Sequence, residues 1–349
     1  MNYHMEKSYV GHRDQLFRIT RMKLTDGKSD GSELLSIYNR SGMHFDVNIS
    51  RGMDIPYLDF CGQNIGFLSP CGVVSPEYFD DNGLGFLKSF TAGFMTTCGL
   101  KVTGSPCEFE GKNYGLHGNL SHTPAEEVRY YIDESQDIPC VYIQGKMRDS
   151  VIFGERLTLD RSIRCNYQER KIELHDTVTN EGFKKARHML LYHCNIGYPL
   201  LTPESEVFIP SIDVKARTRH SLEGLSHWCK LQEPDSNYEE MCFYHKLLKN
   251  SRHYSTVAVY NPCLKIGIAI EFDANALDYL IQWKMMGAGD YVLGLEPANS
   301  TIDGIEDAIN NGSIKYLEAG ESKDYHLVFK IISGNEEFEQ LKNCFRNRS

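Results

Sequence analysis

Apolar and polar residues alternate along much of this chain, and a period of two is the mark of a half-buried strand. Ser150–Ile163 alternates over its second half, and Lys171–Asn180 does so again. The polar stretch from Asn166 to Arg170 lies between them, so the two predict a hairpin. Ser255–Tyr260 and Leu264–Phe272 flank Asn261-Pro262, a second turn between strands. Tyr325–Ile332 predicts one more strand, and the 20 Tyr and 17 Phe suit strands better than helices. Helical spacing is scarce. Its clearest case is the tail, where Phe338, Leu341 and Phe345 follow Gly334. Ser221 to Asn237 is polar and irregular and predicts a long surface loop. A rule of about 150 residues per domain allows two domains, but large β-sandwiches often run past about 200 as one. No repeat, low-complexity segment or clear linker divides the 349 residues. The expectation is one all-β, mainly antiparallel domain over 1–349, a large β-sandwich with minor helices.

Charge and cysteine usage narrow the setting. Lys and Arg number 37 against 47 Asp and Glu, a net charge of −10. That balance opposes a nucleic-acid partner, which needs a basic patch, and an anionic membrane surface. The eleven cysteines are odd in number and contain no Cys-x-x-Cys pair. They read as mostly buried free thiols in a reducing compartment. The start, Met1 to Lys7, has no apolar core of a signal peptide, and no run of about 18 apolar residues exists to span a membrane. A cytoplasmic location is expected.

Gly294-Leu295-Glu296-Pro297-Ala298-Asn299 follows the largely apolar run Tyr279–Met286. A Glu in such surroundings costs several kcal/mol to bury, roughly, unless it is paired or used. Two distant segments offer partners, Tyr114–Asn119 with His117 and Leu190–Pro199 with His193. Two histidines and one carboxylate are the parts of a proton-transfer site. A histidine suits because its ordinary pKa near 6.5 leaves both protonation states within reach. No cofactor or metal is expected. His188 and His193 are five apart and point to opposite faces of a strand, no His-x-His or Cys-x-x-Cys exists, and no Gly pattern opens a helix. Cys194 adjoins His193 but faces away from it on a strand, which argues against a thiol nucleophile.

His117-Gly118, Tyr192-His193-x-Asn195 and Leu295-Glu296 resemble, in order and rough spacing, the active-site motifs of galactose mutarotase (aldose 1-epimerase). The chain is more similar still to the aldose-1-epimerase-like branch of that superfamily. Its marks here are Arg51-Gly52-Met53-Asp54-Ile55, Thr97-Cys98-Gly99-Leu100, Leu116-His117-Gly118 with Thr123-Pro124-Ala125, His193 to Pro199, and Gly294 to Pro297. The resemblance runs from about Arg13 to the C-terminal strand. It implies a β-supersandwich with a sugar cleft on one sheet. It also implies an isomerase that interconverts sugar anomers by ring opening and reclosure. Glu296 would be the base on the C1 hydroxyl and His193 the acid at the ring oxygen. His117 would hydrogen-bond the same region.

The binding groups are less determined. Arg51 reads either as a guanidinium fork for sugar hydroxyls or a charged substituent, or as a structural partner of Asp54. Asn119 stands where members of the family often carry a basic residue, and its amide would donate to a sugar hydroxyl. Asn195 is carried over with the His193 motif as a further sugar contact. Trp283 and Lys284 are adjacent, so only one of them can face the cleft. The well-studied mutarotases also carry an Arg ahead of the His-Gly motif, where this chain has Thr96-Thr97-Cys98-Gly99. They carry a later carboxylate as well, for which no equivalent stands out; His245 is merely nearby. The substrate therefore need not be galactose. The expected partner is a small-molecule sugar, with the protein a monomer or homodimer. Two other functions stay open: a non-catalytic carbohydrate-binding protein, and a glycan lyase or hydrolase. The last ranks lower because a glycosidase normally needs two carboxylates about 5–10 Å apart.

Overall fold

The structure, a computed structural model, describes residues 3–346. Alternating strands have become two large antiparallel sheets. The first has eight strands, in the order Glu126–Asp133, Cys140–Ser150, Arg156–Asn166, Lys171–Asn180, Ser322–Ser333, Ile266–Asp273, Tyr254–Asn261 and Glu206–Phe208. The second has seven. Ser211–Ala216, Met241–Leu247, Tyr279–Met286, Tyr291–Ala298, Ala186–Ile196 and Lys315–Leu317 run in that order, and Met95–Leu100 also pairs with Ala186–Ile196. The expected hairpin is present, with Leu157 opposite Asn180 and Arg164 opposite Glu173. Tyr254–Asn261 and Ile266–Asp273 pair around Pro262 in the same way.

The inner faces share one apolar core. Ile163, Leu174, Ile270 and Phe329 of the first sheet belong to the same cluster as Leu190, Tyr192, Leu293 and Leu295 of the second. A five-stranded sheet between Arg18 and Asn64 adds Leu35, Ile37 and Phe45 to it. Burying that continuous apolar surface is the main term holding the sheets together, at roughly 25 cal/mol per Å² removed from water. The tail forms the helix Asn335–Arg346, whose Phe338 stacks on Tyr260 with ring centroids 4.7 Å apart.

Ala186–Ile196 is buried on both faces along its whole length. Leu190, Tyr192 and Cys194 point between the sheets. The opposite face carries Leu191, His193 and Asn195, as alternation requires. Leu191 there joins a second cluster with Phe86, Phe90 and Ile281. The loops around Phe79 to Phe90 thus roof the outer face of the seven-stranded sheet, and the cleft lies beneath them.

A buried ion pair ties the two sheets. Arg161 donates through Nε and Nη2 to both oxygens of Asp176, at 2.9 and 2.6 Å. Tyr192 Oη donates to Asp176 at 2.7 Å, and Arg161 Nη2 also reaches Thr97 Oγ1 at 2.9 Å. Arg161 further donates to the Gly52 carbonyl and sits 3.5 Å from Asp54, so the Arg51–Ile55 motif is part of this staple.

Two expectations change. The Ser221–Asn237 stretch is not a plain surface loop. It begins with a helical turn, Ser221–Gly224, and lays Trp228 and Leu231 on the core. All eleven cysteines are free, but only five, Cys98, Cys140, Cys165, Cys194 and Cys242, are buried. Among the described residues no helix is long and apolar enough to cross a membrane.

Candidate functional site

His193 and Glu296 come from neighbouring strands. The register sets Cys194 opposite Leu295, which brings the two residues side by side on the roofed face. His193 Nε2 lies 3.3 Å from Glu296 Oε1, and their side chains are only 6% and 2% exposed. Burial pushes the Glu296 carboxyl well up, with Arg217 opposing. Burial also holds His193 down to about 4, against the pull of the Asn195 amide. Both shifts favour the uncharged partner, so burial favours the proton on Glu296 over His193.

His117 sits on a loop, not a strand, with φ 61°. That left-handed conformation is uncommon for a residue with a Cβ. Three hydrogen bonds hold it. The His117 N–H donates to the Gly104 carbonyl, its carbonyl accepts from Gly99, and Nδ1 accepts from the Gly104 N–H at 3.2 Å. An accepting Nδ1 leaves the ring proton on Nε2. Burial, with His193 and Arg217 nearby, keeps this imidazole well below its ordinary pKa. His117 is therefore a fixed neutral donor, 5.6 Å ring to ring from His193. Gly118 must be glycine, since a Cβ would fall 2.7 Å from the Gly99 carbonyl oxygen.

These three side chains line a cavity of about 300 Å³ together with Arg217, Glu240 and Trp283. Trp283 faces it, and its Nε1 donates to Glu240 Oε2 at 2.7 Å. Arg217 donates to Asp303 and Ser105, both at 2.7 Å, and Tyr244 Oη donates to the other Asp303 oxygen. Phe90 packs against the His193 ring at 5.2 Å. One wall is aromatic and the other carries fixed charge, which suits a molecule with a C–H face and many hydroxyls.

The other expected contacts lie elsewhere. Lys284 is 1% exposed and opposite Leu293, on the face turned to the inter-sheet core, so Trp283 is the one in the cleft. Arg51 is neither a free fork nor a simple partner of Asp54. It donates to the carbonyls of Val74, Ser89 and Ser121 and to Thr91, and pins the roof loops. Asn195 is fully buried, its amide donates to the His193 carbonyl at 2.9 Å, and it does not line the cavity. Asn119 is exposed and lines a separate cavity of about 150 Å³ with Lys101 and Asp149. His188 points into the core, with Nε2 2.6 Å from Tyr325 Oη.

Arg217 and Glu240 were not legible in the sequence. Each is one of several charges in a polar stretch, Arg217 between Lys215 and Arg219 and Glu240 beside Glu239, as surface residues usually are.

The sequence matches, over residues 29–331, a family described as a domain of unknown function, DUF4432. The chain belongs to that family. No curated protein matches the sequence. Among solved structures, a Klebsiella pneumoniae protein provisionally named an aldose 1-epimerase is 27% identical. It superposes with a TM-score of 0.92 over 96% of this DUF4432 chain and 90% of its own. A galactose mutarotase-like protein from Clostridium acetobutylicum, 13% identical, gives 0.66 over 91% and 99%. Galactose 1-epimerase from Lactobacillus acidophilus, 12% identical, gives 0.61 over 91% and 100%. The fold of this DUF4432 member is galactose mutarotase-like.

Proposed function

We propose that this protein is an aldose 1-epimerase-type isomerase. It interconverts sugar anomers by acid–base ring opening and reclosure, without a cofactor. The observation that carries the reading is the buried His193–Glu296 contact of 3.3 Å at the floor of the cleft. In the reactive form the shared proton sits on His193 and Glu296 is a carboxylate. The carboxylate takes the proton of the C1 hydroxyl, His193 gives its proton to the ring oxygen, and the bond from C1 to that oxygen breaks. The product is the open-chain aldehyde, with Glu296 protonated and His193 neutral. That is the uncharged state which burial favours, so the charged reactive form costs free energy to make and ring opening returns it. The C1–C2 bond turns and the steps reverse to give the other anomer.

The His117 Nε2–H serves as a donor to the sugar oxygens near C1. Arg217 and Glu240 bind hydroxyls, and Trp283 offers its face to the C–H side of the ring. In this reading the whole chain, 1–349, works as one unit, as a monomer or homodimer, on a small-molecule sugar. Its free cysteines fit a reducing, cytoplasmic setting. The test is two-dimensional exchange NMR of anomer interconversion, with purified protein and a panel of aldoses, ketoses, uronic acids and sugar phosphates. Faster exchange for one class is expected, reduced by about 10²–10⁴-fold in Glu296→Gln. Undiminished exchange in that variant would remove the reading.

A further inference from the structure

A second cavity, of about 520 Å³, lies beside the first. The two share Leu87, Phe90, Glu240 and Trp283, so they meet across the Trp283–Glu240 hydrogen bond. The annex is lined by Phe67, Pro70, Cys71 and Met285. Its polar groups are already committed or lie at the rim. Ser69 Oγ donates to the Phe90 carbonyl and accepts from the Cys71 N–H. Glu240, whose Oε2 accepts from Trp283, and Asp290 are both exposed at its rim. A second sugar ring placed there would lose water from its hydroxyls and find few partners in exchange. An apolar group would lose nothing and gain burial.

Building on the epimerase reading, we infer that the substrate is a reducing sugar bearing an apolar substituent, aromatic or aliphatic, at a position other than C1. C1 must keep its free hydroxyl for the ring to open, so the substituent leaves the ring elsewhere and passes over Trp283 into the annex. Met285 is on the same strand face as Trp283, two residues on, and forms the far wall. Filling that wall closes the annex.

The experiment compares glucose and galactose with their mono-O-benzyl ethers at each position other than C1, by exchange NMR with the full chain. At least one ether is expected to exceed its parent sugar by about tenfold or more in kcat/KM. That preference is expected to disappear in Met285→Trp. Cys71→Trp closes the annex from the other wall and replaces that variant if it fails to fold. Turnover of the parent sugars with no ether preferred, or a preference that survives both substitutions, overturns the annex assignment and leaves the epimerase reading standing. Exchange of no sugar at all overturns the epimerase reading instead. The annex is then judged by saturation-transfer binding. An ether bound by the original protein but not by Met285→Trp upholds it, and no bound ether overturns it.

Discussion

Glu296 fits where it does because Gly294 makes room. A Cβ at Gly294 would stand 2.5 Å from Glu296 Oε1 and 3.0 Å from Trp283 Cβ. Gly294→Ala is therefore expected to swing the carboxylate off His193. Anomer exchange should fall by about tenfold or more while the melting temperature moves little, because the surrounding strand pairing is untouched. Exchange at the original rate would mean that the carboxylate position is not critical. Glu296 was legible beforehand because a carboxylate in a strand of Leu and Val needs a reason to be there. His193 was legible only through its motif, since the chain carries 13 histidines. His117 gave no sign of its tautomer, which comes from the Gly104 N–H, a contact between loops far from any pattern.

Strand parity carries much of the site at the level of elements. It separated Trp283 from Lys284 and His193 from Cys194, but it could not say which face was the cleft. That depended on where the Phe79–Phe90 loops settle, and they have no periodicity to read. Ala186–Ile196 is the pivot, with Tyr192 bound into the Arg161–Asp176 staple on one face and His193 in the cleft on the other. Removing one member of a buried pair leaves an uncompensated charge, at a cost of about 3–5 kcal/mol. Asp176→Ala should lose about that much in urea unfolding. Arg161→Met combined with Asp176→Leu should recover a large part of it. A loss in Asp176→Ala below about 1 kcal/mol would contradict the staple.

At the scale of the whole molecule, the fold class and the long strands could be read from alternation, because half-buried sheets impose it. The coverage of one sheet by loops could not, since the roof is held by single contacts such as those of Arg51. The same burial sets the response to pH. Burial holds His188, His193 and His245 down to about 4, and burial with the Arg51 charge holds His122 to about 2. Unfolded, each takes up a proton near 6.5. Their contribution is full above that value and is lost as pH falls toward 4. Asp54 acts in the opposite sense. Burial raises its carboxyl to about 6, against Arg161, so its contribution is lost as pH rises to there. His44, raised to about 9 by Asp46 and Asp59, loses its contribution between about 6.5 and 9. Glu296, also raised by burial, acts in the same sense as Asp54, but with His117 five buried histidines outweigh these two carboxylates. The urea midpoint should therefore peak near pH 6.5, fall steeply toward pH 4.5 and decline mildly toward pH 9. A midpoint that rises on acidification would contradict the neutral, buried state of these histidines.

The central claim is that His193 and Glu296 act as one proton-transferring unit. Anomer-exchange rates of Glu296→Gln, His193→Gln and the double variant, measured on the best sugar, test it most directly. A unit predicts that each single change removes nearly all the acceleration and that the double variant is no slower than the slower single. Losses that multiply in the double variant would contradict it, as would either single variant at the original rate.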